Sequence, residues 1–187
     1  MLSHLRPALV LLLLFTLLTG VLYPLAITGI AALAFPEQAA GSLLQRQGRV
    51  IGSALIGQRF SAPHYFHGRP SAAGADGYDA MASGGSNLAP TSAALVARVR
   101  ADIASAGARP GSVPADLVTA SGSGLDPDIS PAAAQAQIAR VAAARRWPVD
   151  RVRAAVDEAT EQPLLGLVGE PRVNVLRLNL MLDAAAR

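Results

Sequence analysis

Hydrophobic and polar positions divide the chain into two stretches that meet near residue 36. From Pro7 to Pro36 the sequence PALVLLLLFTLLTGVLYPLAITGIAALAFP contains no charged residue. A helix needs about 20 apolar residues to cross a bilayer, so this stretch is long enough to span one. Beyond it, apolar residues alternate with polar and glycine-rich segments. The pattern predicts an N-terminal transmembrane anchor over residues 1–36 and one soluble domain over residues 37–187.

Two stretches of the soluble domain have the pattern of β-strands. RVIGSALIGQRF, from Arg49 to Phe60, is apolar and β-branched and is punctuated by glycine, which indicates a strand and a turn. DLVTAS, from Asp116 to Ser121, is predicted to be a short buried strand. With the helices described next, the fold class is one N-terminal transmembrane helix plus a single α/β (α+β) domain with a small sheet and about four helices.

The first predicted helix of the domain runs from about Pro90 to Ala106. Its apolar residues repeat at a spacing of four, which places them on one helix face. Thr91 and Asn87 are both candidate N-caps.

Three prolines mark the starts of the remaining helices. Ser130 followed by Pro131 is a strong start, because serine is a favoured N-cap and proline is favoured at the first helical position. That helix should run to about Arg146. Pro148 and Pro171 are predicted to open two further helices, the second leading into RVNVLRLNLMLDAAA.

A long irregular segment, SAPHYFHGRPSAAGADGYDAMASGGSN, lies between the predicted strand and the first helix of the domain. It runs from Ser61 to Asn87 and contains five glycines. A loop of this length is usually functional or disordered. Its aromatic residues argue for order, so we expect a functional loop.

Composition excludes several kinds of chemistry. The chain has no cysteine and no lysine, which rules out thiolate sites, Schiff bases and the lysine of a phosphate-binding P-loop. Beyond residue 36, fifteen arginines stand against thirteen acidic residues and are spread along the chain with few aromatics. No nucleic-acid partner is therefore expected.

SGGSN, comprising Ser83, Gly84, Gly85, Ser86 and Asn87, is the main candidate for ligand binding. A glycine pair can form a nest of backbone N–H groups that binds phosphate, and a helix start follows it. The same residues also suit a tight turn that leads into the helix. The residues alone favour the turn and keep nucleotide binding as the alternative.

Other candidate groups are weaker. His64 and His67 have a spacing that could suit a metal, but no third ligand is obvious, and positions in a surface loop are the favoured explanation. Arg69 could form a bidentate contact to a carboxylate or phosphate, or a structural contact to a carbonyl or a nearby Asp. Asp126 and Asp128 could bind calcium or act in acid–base chemistry, although Asp-Pro turn formation is the simpler account.

The apolar segment itself allows two alternatives. Ala32–Ala34 is a small-residue site of the kind at which secretory signals are cleaved, which would release a secreted enzyme. The apolar run is longer than a typical signal, which favours an uncleaved anchor with its N-terminus inside and the domain outside, although flanking arginines make the charge bias ambiguous.

TGVLYPL, within the anchor, contains residues suited to contact another membrane helix. Gly20 permits close approach, Pro24 frees a backbone carbonyl, and Thr19 and Tyr23 are polar. A kinked anchor surrounded only by lipid would have the same residues. Packing against a partner helix is the reading we favour.

Taken together, six stretches resemble the C subunit of the Kdp potassium-transporting ATPase, the KdpC family. They are TGVLYPL, GSALIGQRF, YFHGRPSA, SGGSNLAPTS, DLVTASGSGLDPDISPAAAQAQIARVA and LGLVGEPRVNVLRLNLMLD. The resemblance covers residues 19–183. Two positions depart from the family pattern: Ala89 stands where Gly is usual, and Asp128 where His is frequent.

The resemblance implies a non-catalytic subunit needed for assembly and activity of a high-affinity potassium pump. Its implied partners are a channel-like potassium-binding subunit, a P-type ATP-hydrolysing subunit, a small fourth subunit and the lipid bilayer. It implies a single-pass protein of the bacterial inner membrane, with an uncleaved anchor and no intrinsic cofactor. The family has also been described as a catalytic chaperone that raises the ATP affinity of the pump subunit, with SGGSN compared to nucleotide-contacting signatures.

These two implied roles place the domain on opposite sides of the membrane. The ATP site of a P-type pump is cytoplasmic, so a domain held outside by a single N-in helix cannot reach it. The N-in reading therefore favours a protein surface as the contact of SGGSN. In that case any ATP would be bound by the pump subunit and not by this domain.

Overall fold

The computed structural model describes residues 4–105, 111–163 and 165–186. Its contacts divide the chain into two compact units, one running to Ile51 and the other starting at Gly52. The two units are described separately. A functional boundary at residue 36 remains a prediction.

The first unit begins with a continuous helical segment, Leu5–Ala34, that is 30 residues long and apolar enough to cross a membrane. It consists of α1 (Leu5–Leu17), a π-helical turn (Leu18–Leu22) and α2 (Tyr23–Ala34). None of its residues is buried within the protein. The predicted N-terminal helix is confirmed.

The π-helical turn has a clear cause in the sequence. Pro24 has no N–H to donate to the carbonyl four residues earlier, and the N–H of Tyr23 donates to the carbonyl of Leu18, five residues back. Such a wide turn is the usual response to a disrupted helical ladder. The irregularity predicted from Pro24 is therefore present.

A short helix and a hairpin follow the apolar segment. They are α3 (Pro36–Ala39), β1 (Leu43–Arg46) and β2 (Arg49–Ser53), and the two strands pair with each other. The last two residues of β2 belong to the second unit. This confirms the strand predicted to start at Arg49.

The second unit contains the remaining helices and a small three-stranded sheet. In chain order these are α4 (Ala93–Ser105), β3 (Asp128–Ile129), α5 (Pro131–Arg145), α6 (Val149–Glu158), β4 (Thr160–Glu161), β5 (Arg172–Asn174) and α7 (Val175–Ala184), with 3-10 turns at Ala80–Ala82 and Ala115–Leu117. The sheet order is β3-β5-β4, with both neighbours antiparallel to β5. The predicted α+β class with a small sheet and about four helices is confirmed.

The core lies among α5, α6, α7 and β5. Its buried side chains include Phe66, Ile129, Ile138, Val141, Val152, Val156, Val173, Leu178 and Leu182. Ile138 and Val141 of α5, and Val152 and Val156 of α6, are three or four positions apart and so reach this core from one face of each helix. Ser130 caps α5 as expected, since its hydroxyl accepts the Ala133 N–H at 3.1 Å.

The predicted strand at Asp116–Ser121 is wrong. The segment begins as a 3-10 turn, in which Leu117 N–H and Val118 N–H donate to Pro114 and Ala115 carbonyls. The Asp116 carboxylate accepts the backbone N–H of Ser130 at 2.7 Å. This long-range bond ties the segment to the start of α5, and residue pattern alone could not reveal it.

The helix predicted to open at Pro171 starts later. Arg172–Asn174 forms the central strand β5, and α7 begins at Val175 with Asn174 as its N-cap. The Asn174 Oδ1 accepts the Arg177 N–H at 3.1 Å. Pairing of β5 with two neighbours outweighs the preference of proline for a helix start.

The helix predicted from Pro90 to Ala106 is present but shorter at its start, because α4 begins at Ala93. Ala106 lies outside the described residues. Asn87, a candidate cap, instead has a left-handed φ of 50°. Thr91 lies in the turn that precedes the helix.

Candidate functional site

The long loop from Ser61 to Asn87 is anchored in the core at Phe66, which is completely buried. Its backbone N–H donates to Asn179 Oδ1 at 2.8 Å, and its carbonyl accepts from Asn179 Nδ2 at 3.0 Å. Gln137 bonds His67 in the same manner: the His67 N–H donates to Gln137 Oε1 at 2.8 Å, and Gln137 Nε2 donates to the His67 carbonyl at 3.0 Å. Two side-chain amides thus replace the neighbouring strand that this segment lacks.

Two arginines of α5 also hold this stretch of loop. Arg140 Nη1 donates to the carbonyls of Pro63 and Tyr65 at 2.7 and 3.0 Å. Arg145 donates to the His64 carbonyl at 2.8 Å and pairs with Asp183 at 2.9 Å. These guanidinium groups therefore have a structural role, because they bind the backbone carbonyls of the loop.

The two histidines lie in the anchored part of the loop. Within the described residues, no group of three or more His, Cys, Asp or Glu side chains could hold an ion. His67 is half-buried and its Nε2 lies 3.2 Å from the Ala62 carbonyl. Burial, followed by the positive charge of Arg140, lowers the pKa of His67 below 6.5, so this ring favours its neutral form.

Residues 83–86 run without a turn, and Ser83 and Gly84 lie against a second loop, Ser121–Gly124. Gly84 N–H donates to the Ser123 carbonyl at 2.8 Å, and the Ser83 hydroxyl donates to the same oxygen at 3.0 Å. Gly84 and Gly85 do not adopt left-handed φ angles. The tight turn predicted within this segment is wrong, because the turn that precedes α4 lies at Pro90–Thr91, and Ser83 and Gly84 bond to the neighbouring loop.

Glycines allow these two loops to approach closely. A Cβ on Gly124 would lie 2.6 Å from the Gly84 carbonyl oxygen and 2.7 Å from Ala73 N, and its φ is +68°. A Cβ on Gly85 would lie 3.2 Å from the Gly122 carbonyl oxygen. Only glycine suits position 124.

Arg69 makes both structural contacts that its sequence context offered. Its Nη1 pairs with Asp126 Oδ2 at 2.9 Å, and its Nε donates to the Thr119 carbonyl at 3.3 Å. The Tyr78 hydroxyl donates to the Arg69 carbonyl, and burial raises the pKa of that hydroxyl. Arg69 thereby joins the loop to the Asp126 turn.

Asp126 acts as a turn residue, whereas Asp128 begins β3. Asp126 Oδ1 accepts the Asp128 N–H at 3.0 Å, which is the local bond expected of Asp before proline. Asp128 in turn accepts from Asn174 at 3.0 Å and lies 3.2 Å from Arg172. Burial raises the pKa of Asp128. The carboxylate that replaces the frequent imidazole thus has a local structural role.

A shallow cleft of about 410 Å³ opens between these loops. Its polar lining comes from Arg69, Ser83, Ser121, Ser123 and Asp126. A volume in this range can accommodate a small ligand. The structure therefore brings Arg69 and Ser83 to one place, while Gly84 already uses its N–H within the domain.

The four residues singled out in the apolar helix occupy its π-helical turn and the residues just after it. Thr19 Oγ1 donates to the Phe15 carbonyl at 2.7 Å, which satisfies the hydroxyl inside the helix. Nothing lies within 4 Å of a Cβ placed on Gly20. Thr19 and Tyr23 are four apart, as are Gly20 and Pro24, so they form two adjacent columns on the helix surface.

The order of the segments that build this site is shared with a known family. The sequence model described as "KdpC: K+-transporting ATPase, c chain" matches residues 5–184. The chain belongs to the KdpC family. It is therefore a subunit of the K+-transporting ATPase, a potassium uptake complex.

Relatives named "Potassium-transporting ATPase KdpC subunit" match over nearly their whole length. The one from Gemmatimonas aurantiaca is 63% identical over 98% of this chain and 94% of its own. That from Caulobacter vibrioides is 62% identical over the same shares. That from Methylorubrum populi is 56% identical over 100% of both chains. The KdpC match therefore includes both the apolar helix and the domain.

Several residues that organise the site were not identified from sequence. Gln137 and Asn179 are buried amides on otherwise apolar helix faces, and that interruption of the apolar pattern was the available signal. Gly124 lies in one of the stretches that resemble the family, but its steric role depends on Gly84 and Ala73, which are distant in sequence.

Proposed function

We propose that this KdpC-family chain is a non-catalytic, membrane-anchored subunit that stabilises its potassium-transporting ATPase and supports its activity. One observation carries the proposal: two polar groups at the start of the Ser83–Asn87 segment are engaged within the domain. Gly84 N–H and the Ser83 hydroxyl both donate to Ser123. The loop is thereby a shaped protein surface, which suits contact with another subunit.

The electrostatics of the neighbouring cleft support the same proposal. Arg69, the cation that could bind phosphate there, is neutralised by Asp126 at 2.9 Å. The Asp126 carboxylate also lines the cleft, where it would repel a phosphate group. For these groups to bind ATP, Arg69 would have to separate from Asp126, and the Gly84 N–H would have to give up its bond to the Ser123 carbonyl.

We further propose a single-pass arrangement in the bacterial inner membrane, with the N-terminus cytoplasmic and the domain outside. The 30-residue apolar helix supplies the span. An outside domain cannot contact cytoplasmic ATP, so this orientation and the assembly role support each other. The partners would be the potassium-binding, ATP-hydrolysing and small subunits implied by the family resemblance.

The residues proposed for helix contact are Thr19, Gly20, Tyr23 and Pro24. An open glycine beside a proline-induced wide turn lets another helix approach the backbone, and small residues favour such contacts in lipid. Arg69 is proposed to contribute at the domain surface by holding the Asp126 turn in place.

Helix contact is tested by two matched substitutions in the full complex. Gly20→Leu should reduce the amount of this subunit that co-purifies with the others, and should reduce potassium-stimulated ATPase activity. Gly29→Leu is the control, because both glycines lie in the same helix and neither has an atom within 4 Å of an added Cβ. Equal co-purification of the two variants would contradict a specific contact at Gly20.

Nucleotide contact is tested separately by calorimetry on the full chain in detergent. We expect no micromolar ATP binding and no ATP hydrolysis by this subunit alone. Micromolar binding that is abolished by Ser83→Ala together with Asn87→Ala would overturn the assembly proposal and favour the chaperone alternative.

Orientation is tested with one introduced thiol, since the natural chain has no cysteine. Met81 is 96% exposed and lies two residues from Ser83. A membrane-impermeant maleimide should label Met81→Cys in intact spheroplasts. Labelling only after lysis would place the domain inside and contradict the proposed topology.

A further inference from the structure

A short apolar loop projects from the domain between β4 and β5. Leu165, Leu167 and Val168 are 87%, 85% and 67% exposed. We call residues 165–168 the apolar tip. Exposed aliphatic side chains are common singly, but a cluster of them marks an interaction site.

The apolar tip stands on an ordered stem. The strands on either side pair with each other through Thr160↔Val173 and Glu161↔Arg172, and Glu161 forms a salt bridge with Arg172 at 2.8 Å. At the tip, Gly166 N–H donates to the Pro163 carbonyl at 3.0 Å. The exposure of its side chains is therefore a property of the folded hairpin.

No other part of the described domain has the same character. Elsewhere in residues 52–105, 111–163 and 170–186, large exposed hydrophobic residues occur singly, or as the pair Leu55 and Ile56. Met81 is the most exposed of them, but it stands alone. The tip alone, in this described part, places three such side chains within four positions.

We propose that the apolar tip inserts into the surface of the lipid bilayer, at the boundary between headgroups and acyl chains. The chain has its own apolar helix of spanning length, which would keep the domain at a high effective concentration near a bilayer. Insertion removes the three side chains from water without requiring a shaped partner.

The chemistry of the tip favours lipid over a protein pocket. Its side chains are purely aliphatic, whereas the residues that dominate protein interfaces are Trp, Tyr and Arg, with Leu and Val under-represented. The side chains also protrude one by one, a shape that a fluid phase accommodates. No charged residue occurs between Glu161 and Glu170, so entry does not bury a charge.

The stem carries groups suited to the headgroup layer. Arg172 and Arg177 are about half exposed beside Glu161. Guanidinium groups can share phosphate oxygens while remaining paired. Because Glu161 of the stem pairs with both Arg172 and Arg177, the latter on α7, insertion should depend on apolar contact, and vesicles of zwitterionic lipid should suffice.

The first test compares two single-cysteine variants of the full chain, Leu167→Cys and Met81→Cys, in phosphatidylcholine vesicles without other subunits. A water-soluble maleimide should modify Leu167→Cys several-fold more slowly than Met81→Cys. Both thiols lie on one domain, so any difference in vesicle sidedness cancels. In denaturant the two rates should become equal. Equal rates in the vesicles would overturn the proposal.

The second test asks whether lipid itself covers the tip. Leu167→Trp should be quenched by lipids brominated near the headgroup end of their chains more than by lipids brominated near the methyl end. The natural protein, with Trp147 alone, supplies the baseline, and Met81→Trp is the exposed control. Quenching no greater than in Met81→Trp overturns lipid insertion.

A protein partner would give a different result in the same experiments. The tip would then be unprotected in vesicles of this chain alone and protected only after the other subunits are added, which would also overturn the proposal. Of the proposed function, this inference relies only on the membrane anchor. Its failure would leave the Gly20 and ATP tests unaffected, and their failure would leave the quenching test valid.

Discussion

Tyr65–His67 and Ser83–Asn87 belong to one long irregular loop, yet they are held in opposite ways. The first is fixed from the core by side-chain amides on α5 and α7. The second lies at the surface and is fixed by its own backbone against another loop, with glycine permitting the approach. The comparison teaches that irregular backbone can be rigid for two distinct reasons, one based on burial and one on steric fit.

The largest effect is expected at the buried anchor. Phe66→Ala should lower the unfolding free energy of the domain by about 3–5 kcal/mol, because it removes a large buried ring and leaves a cavity. Urea unfolding in mild detergent, followed by the fluorescence of Trp147, measures this. Met81→Ala, in the exposed part of the same loop, should change the unfolding free energy little. A loss below about 1 kcal/mol would show that Phe66 is not an anchor.

The next effect concerns the two hydrogen bonds that the Gln137 amide forms with the His67 backbone. Gln137→Leu should cost about 2–4 kcal/mol, since the His67 N–H and carbonyl would lose their partners. Gln135→Leu on the same helix is the matched control because Gln135 is exposed. Similar unfolding midpoints for the two variants would show that the Gln137–His67 hydrogen bonds do not stabilise the domain.

The surface loop should respond to steric change. Gly124→Ala should cost about 1–3 kcal/mol, because its left-handed φ and its contacts with Gly84 and Ala73 oppose a Cβ. Gly122→Ala is the control, with no atom within 4 Å of the added carbon. If both variants unfold alike, close approach does not hold this loop.

A smaller effect is expected for the ion pair that closes the site. Arg69→Ala should lower the unfolding free energy by about 1 kcal/mol or less, because the pair with Asp126 is partly exposed. Asp126→Asn should show a comparable loss, and the double variant should lose less than the sum of the two. Full additivity would mean that the two side chains do not stabilise each other.

The smallest effect concerns pH at the buried end of the loop. Because the folded-state pKa of His67 is lowered below 6.5, its contribution to stability is present above that value. It is lost as pH falls through the lowered pKa. His67→Gln should therefore show a weaker fall in unfolding free energy between about pH 8 and 5.5. Parallel curves for the two proteins would assign the pH dependence to other groups.

Local signals predicted the helices whose ends depend on neighbouring residues. Ser130 and Pro131 begin α5 as expected, and the prediction of its end at Arg146 was off by one residue. Pro148 likewise precedes α6. Prediction failed where a contact with a distant residue set the local structure. The Asp116 carboxylate accepts the Ser130 N–H, and the flanking strands pair with Arg172–Asn174.

The candidate site shows the same division. Its residue types were visible in SGGSN and Arg69, and both belong to one cleft. Which of their groups remain available was decided by Ser123 and Asp126, roughly 40 to 57 positions away. A nest of free amides and an extended, paired segment have the same local sequence.

The sequence by itself determined the apolar helix, the α+β class and membership of the KdpC family, because length, periodicity and ordered motifs are local properties. Only the tertiary structure decided that Gln137 and Asn179 replace a strand. It also decided that Gly84 donates its N–H to Ser123 and that the tip at Leu165–Val168 projects from its stem. These features depend on pairing between distant residues, where the free energy of a contact outweighs local preference.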